Sequence, residues 1–79
     1  MSADRNKEAV AVPVIKSIDL VGVSEVSWED AARQAFAEAS RTLRNIVEME
    51  VLHWTANVAD GKQIHEYHAH TRISFRLER

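Results

Sequence analysis

Asp60-Gly61 stands between two long segments of β character, Ile46 to Asn57 and Gln63 to Glu78, and this placement limits the chain more than any other feature. An Asp-Gly pair accepts the positive φ angles of a tight hairpin, so the two segments become antiparallel neighbours. Val47, Met49 and Val51 alternate along the first segment, and Tyr67, Ala69, Ile73 and Phe75 along the second. Both sets have to face the same core. A two-residue turn pairs odd with even positions and would send them to opposite faces. A three-residue turn over Asp60-Gly61-Lys62 with Gly61 in the left-handed region, or a bulge, restores the register. In that register Glu50 lies opposite Arg72, Glu48 opposite Ser74 and Trp54 opposite His68. Leu52 and Trp54 then share the second face with Glu48, Glu50, Glu66, His68, His70 and Arg72.

One helix precedes the hairpin. Ser27 can cap the amide of Asp30, and Glu29 and Asp30 place negative charge in the first turn. Ala32, Ala35, Phe36, Ala39 and Leu43 recur at helical spacing up to Arg44-Asn45, where a C-terminus is expected. A stripe made mostly of alanine lets the helix axis come close to whatever it covers. Acid-base spacings of Glu29 to Arg33, Asp30 to Arg33 and Glu38 to Arg41 support its outer side. Before it, Val14 to Val23 reads as a strand that ends at Gly22, opened by Pro13 where a missing amide costs least. Residues 1–12 are aperiodic and read as a flexible tail, with the domain proper over 13–79.

The element order is therefore β-α-β-β, an α+β fold in which one helix covers one face of a three-stranded antiparallel sheet. Seventy-nine residues make a single small domain. With no cysteine, neither disulfides nor thiolate chemistry can supplement its core. The second face and the edges are left bare, so a homo-oligomer is expected. Net charge is −2, which gives no electrostatic footprint for nucleic acid or a membrane surface. The absence of a long apolar run and of a signal-like start fits a cytoplasmic protein.

Several side chains invite a chemical reading. His68 and His70 in "HEYHAH" point to one face with alpha carbons about 6.5–7 Å apart. This is a two-ligand pattern for zinc or a similar ion, with Glu66 or a residue of another subunit as the candidate third ligand. Against that stands the plain reading of polar residues in a subunit interface. Glu50 has a cross-strand partner in Arg72, whereas Glu48 has none in the hairpin. No nucleophile elbow, phosphate-cradling glycine loop or cysteine is present, so an enzyme is not expected.

The run "IDLVGVSEVSWEDAARQAFAEASRTLRN", the "DGK" hairpin and the terminal "SFRLE" together resemble the dodecin family over Ile18 to Glu78. The resemblance implies a β-α-β-β protomer whose sheet wraps partly around the helix. It also implies twelve protomers in a hollow homo-dodecameric shell that binds flavin (riboflavin or FMN) without catalysis. The family's flavin-stacking Trp falls on Glu48, its ring-bonding Gln on His68, and a frequent Arg-Gly on Thr55-Ala56; Tyr67 and Arg76 match. An aromatic platform contributes about 1–3 kcal/mol per stacked ring, by analogy with bases, so a carboxylate there weakens or alters flavin binding. The resemblance thus implies a small-ligand binding or storage protein with a cofactor site at Glu48, Tyr67, His68 and Arg76. Two alternatives are a shell binding a divalent metal ion through Glu48, His68 and His70, and a purely structural assembly.

Overall fold

The computed structural model describes residues 11–78. Four elements follow in order: β1 (Ala11–Ser24), α1 (Trp28–Thr42), β2 (Ile46–Ala59) and β3 (Gln63–Glu78). The sheet is antiparallel with order β1-β3-β2, so β3 is central and paired on both sides. The β-α-β-β fold is the one read from the sequence. Strand β1 is longer than Val14 to Val23: Ala11 and Val12 are within it, and it continues past Gly22 to Ser24. Pro13 falls in a register irregularity between Ala11 and Ile15, where a missing amide removes no ladder bond. The rest of the flexible-tail reading, residues 1–10, lies outside the described residues.

Helix α1 begins as its sequence indicates. The Ser27 hydroxyl accepts from the Asp30 amide at 3.0 Å. Ser24 adds a second lock that spacing alone does not reveal. Its buried hydroxyl oxygen accepts from the Val26 and Ser27 amides and donates to Asp30 Oδ2 at 2.7 Å. Asp30 is thus held by Ser24 rather than by Arg33, while Glu29–Arg33 and Glu38–Arg41 pair as expected at 3.8 and 3.0 Å. The helix closes at Leu43, whose amide donates to the Ala39 carbonyl at 2.9 Å.

The core is shallow because its side chains are small. Ala31, Ala32, Ala35 and Ala39 of the helix are buried against Ala69 and Ile73 of β3, while Phe36 stays 43% exposed. The alanines let the helix approach closely, and Gly22 on β1 is where it comes closest. A Cβ on Gly22 would lie 1.9 Å from the Ala31 carbonyl oxygen.

The hairpin turn is the three-residue Asp60-Gly61-Lys62, with Asp60 and Gly61 at φ 54° and 66° and the Lys62 amide donating to Ala59 at 3.0 Å. Three bulges then interrupt the β2–β3 ladder, at Val47, Leu52 and His65. Long strands that wrap a helix must twist strongly, and bulges supply twist. Each also exchanges faces. Glu48 opposite Ser74 and Glu50 opposite Arg72 keep the expected register, whereas Trp54 lies opposite Ala69 and Thr55 takes its place opposite His68. Trp54 therefore projects on the helix side, not on the bare face. Val47 is likewise 48% exposed, with Ile46 opposite Phe75 in its stead.

The radius of gyration is 17.1 Å, against about 12 Å for a compact chain of this length. None of the described helices is long and apolar enough to cross a membrane.

Candidate functional site

The face of the sheet turned away from α1 carries most of the chemistry. Along β3 it presents Glu66, His68, His70, Arg72 and Ser74, because positions 69, 71 and 73 are buried under the helix. Antiparallel pairing sets Val23, Val21, Asp19 and Ser17 of β1 opposite His68, His70, Arg72 and Ser74. On the other side stand Thr55, His53, Glu50 and Glu48 of β2.

Arg72 has a carboxylate on each flank. Its Nε and Nη2 donate to the two Asp19 oxygens at 2.8 and 3.2 Å, so Asp19 rather than the expected Glu50 takes the ion pair. The hydrogen bond and charge of Arg72 hold the Asp19 carboxyl below the usual range, against a smaller opposing effect of desolvation. Asp19, and to a lesser degree Glu50, raises Arg72 in turn. Both side chains are about half exposed, so the pair is a modest, salt-screened contact. Glu48 is exposed and makes no side-chain hydrogen bond or ion pair among the described residues. Ser74, its cross-strand partner, bonds Ser17 across the sheet at 2.8 Å.

His68 Nε2 is 3.1 Å from the Glu66 carboxylate, which also accepts from Asn57 at 3.4 Å. His70 Nε2 is 2.9 Å from the Thr55 hydroxyl. His53 stacks on His70 with ring centroids 4.3 Å apart.

The structure thus brings His68 and His70 together, as the sequence indicates, but leaves Glu48 apart from them. Six residues along β3 separate the positions of Ser74 and His68, about 20 Å at strand rise. Glu48 and His68 of one copy therefore do not converge on a single point. No group of three ligating side chains occurs in one protomer among the described residues. Tyr67 is on the opposite side of the sheet from His68, edge-on to Trp28 with ring centroids 4.8 Å apart. Arg76 is exposed opposite Ile15, and its amide donates to the Asn45 carbonyl at 3.0 Å.

A second feature lies on the helix side of the sheet. Trp28 donates its indole N–H to the Thr55 carbonyl at 2.8 Å. Its ring and that of Trp54 line an open cleft of about 310 Å³. The signal for Trp28 is present in the sequence, a large aromatic directly after an N-cap, but Trp54 joins it only because of the Leu52 bulge.

Residues 14–78 match the family model described as Dodecin. The chain belongs to the dodecin family. A dodecin from Thermus thermophilus is 35% identical over 65 residues, covering 82% of this chain and 93% of that protein. The solved dodecin from Streptomyces davaonensis is 30% identical with a TM-score of 0.77, covering 84% of this chain and 96% of its own. A calcium dodecin from Mycobacterium tuberculosis, described as calcium-chelating with a novel calcium-binding site, is 31% identical with a TM-score of 0.72. That match covers 81% of this chain and 90% of the other. The dodecin relationship, with its β-α-β-β topology, is therefore the one that the sequence motifs indicated.

Glu48 presents a carboxylate on the outer face opposite Ser74, and Tyr67 is engaged on the other side of the sheet. Thr55 adds no cation and already uses its carbonyl and hydroxyl within the chain.

Proposed function

We propose that this chain is the protomer of a non-catalytic, homo-oligomeric small-ligand binding or storage shell, a homo-dodecamer by its family, in which flavin binding is weakened or altered. The observation that carries the reading is the outer sheet face. Glu48 and His68 project from it at the flavin-contact positions, too far apart to form a site within one copy and flanked by exposed Val21 and Val23. Packing copies through this face covers the apolar side chains and creates the site in the same step. Glu48, His68 and Arg76 contact the ligand in this arrangement, and Tyr67 supports the sheet from behind. The charge and composition favour neither nucleic acid nor a membrane as partner, and a cytoplasmic location is consistent with the absence of cysteine.

The test is a titration of riboflavin and FMN followed by fluorescence, with native mass spectrometry for the oligomer. The expected results are a twelve-subunit mass and flavin binding that is weak in the wild type. Glu48→Trp restores a stacking platform and tightens flavin binding by about tenfold or more, from roughly 1–3 kcal/mol per stacked ring. Wild-type quenching as strong as that of the variant rejects the altered-site reading, and a monomeric mass rejects the shell.

A divalent-ion shell is the second reading, favoured by the unpartnered Glu48 carboxylate and the likeness to a calcium dodecin. Here Glu48 of one copy would act with oxygen donors, or with His68 and His70, of another. Metal analysis of the purified protein, and melting with and without chelator, decide it: an unchanged melt and no bound metal reject it.

A further inference from the structure

His53 on β2 lies directly opposite His70 on β3, with ring planes 24° from parallel. His68, two residues along β3 on the same face, has its ring 6.5 Å from that of His70. The nitrogens of these rings are not equivalent. A carboxylate only accepts, so the Glu66 bond places the proton of neutral His68 on Nε2 and leaves Nδ1 as its lone-pair nitrogen. Thr55 orients His70 in the same way when its hydroxyl oxygen accepts from Nε2–H. Metal-ligating imidazoles are commonly held through their second nitrogen by an oxygen partner of this kind.

We infer that His53 and His70 form a two-imidazole chelate for a borderline divalent transition metal such as Cu2+, Ni2+ or Zn2+, with water completing the coordination sphere. Imidazole nitrogen suits these ions, whereas calcium and magnesium prefer oxygen donors. Cross-strand placement delivers both ligands from a rigid ladder, so little backbone order is lost on binding. Closing on the ion requires the His53 ring to turn out of the stack while Thr55 holds His70, and in a single copy His53 is exposed enough to do so. The electrostatic surroundings are permissive. Arg72, the next outward residue on β3, is bound to Asp19 and flanked by Glu50, while Val21 opposite His70 carries no charge. This chelate uses neither Glu48 nor a second copy, so it stands apart from the flavin reading and from an oxygen-ligated cation site.

The experiment is calorimetric titration of the assembled protein with CuCl2, NiCl2, ZnCl2 and CaCl2 at pH 7.5. It compares wild type with His53→Ala, His70→Ala and, as control, His65→Ala on its exposed bulge. Wild type is expected to bind Cu2+ and Ni2+ but not Ca2+ at this site. His53→Ala and His70→Ala each weaken Cu2+ binding by about tenfold or more, and His65→Ala leaves it unchanged. Electron paramagnetic resonance of the Cu2+-loaded wild type needs no variant to fold, and is expected to show two nitrogen donors. An all-oxygen spectrum, equal affinity in wild type and His53→Ala, or an equal loss in His65→Ala overturns the inference.

Discussion

Gly22 and Gly61 show how one residue type meets two different demands. Gly61 has φ 66° and open space around a would-be Cβ, so alanine there meets backbone strain alone, about 1–2 kcal/mol. Gly22 meets a carbonyl oxygen, which cannot swing aside as a flexible side chain can. Gly22→Ala is therefore expected to separate α1 from β1 and to cost about 3 kcal/mol or more, past the ordinary overpacking range. Denaturant midpoints at one protein concentration should fall for both variants, with the larger fall for Gly22→Ala. A smaller fall for Gly22→Ala would show that the helix gives way easily. Neither role follows from the local sequence in the same degree: Asp-Gly announces its turn, whereas the need for Gly22 depends on an alanine stripe arriving from a different element.

At the scale of elements, Ser24 and Ser27 make the junction between β1 and α1. Ser27→Ala removes one cap bond, about 1 kcal/mol. Ser24→Ala leaves two amides and the Asp30 carboxylate without their partner in a buried position, so it is expected to destabilise more, about 2–3 kcal/mol. Equal losses in urea titrations would show that water replaces the Ser24 hydroxyl. The Asp19–Arg72 link makes a pH prediction. The Asp19 carboxyl is held below its unfolded value of about 3.9, so its contribution is full above that pH and fades as pH falls through the lower folded value. Stability curves of wild type and Asp19→Asn should therefore differ at neutral pH and converge once the pH has fallen through the lowered folded value of Asp19. Curves that stay parallel into acid would remove Asp19 from the acid response. The helix, its cap and the hairpin were legible from spacing because each depends on a few adjacent residues. The bulges were not, since Val47, Leu52 and His65 carry no glycine or turn signature and arise where a long strand has to follow a curved surface. For the same reason Glu48, outside the altered stretch, was placed correctly and Trp54 was not.

For the whole molecule, the deciding quantity is how little one copy buries. Its largest fully buried side chains are Ile73 and Thr71, while Val21, Val23 and Trp54 remain about half exposed. Such a protomer gains much of its stability from neighbours, so the unfolding temperature should rise with protein concentration. Val23→Asp should lower the oligomeric mass in sedimentation, since it sets a carboxylate among apolar groups on the outer face, and an unchanged mass would place the contact surface elsewhere. The Leu52 bulge has a further consequence for how such a chain diversifies. Loss of that single residue would close the bulge and leave His53 opposite His70 and Trp54 opposite Ala69, because the inserted residue is the one that shifts the alternation. The indole would stay in the cleft it shares with Trp28. In this architecture a one-residue gap at the bulge is silent for both faces of β2, so surface chemistry there changes only through substitutions at the paired positions.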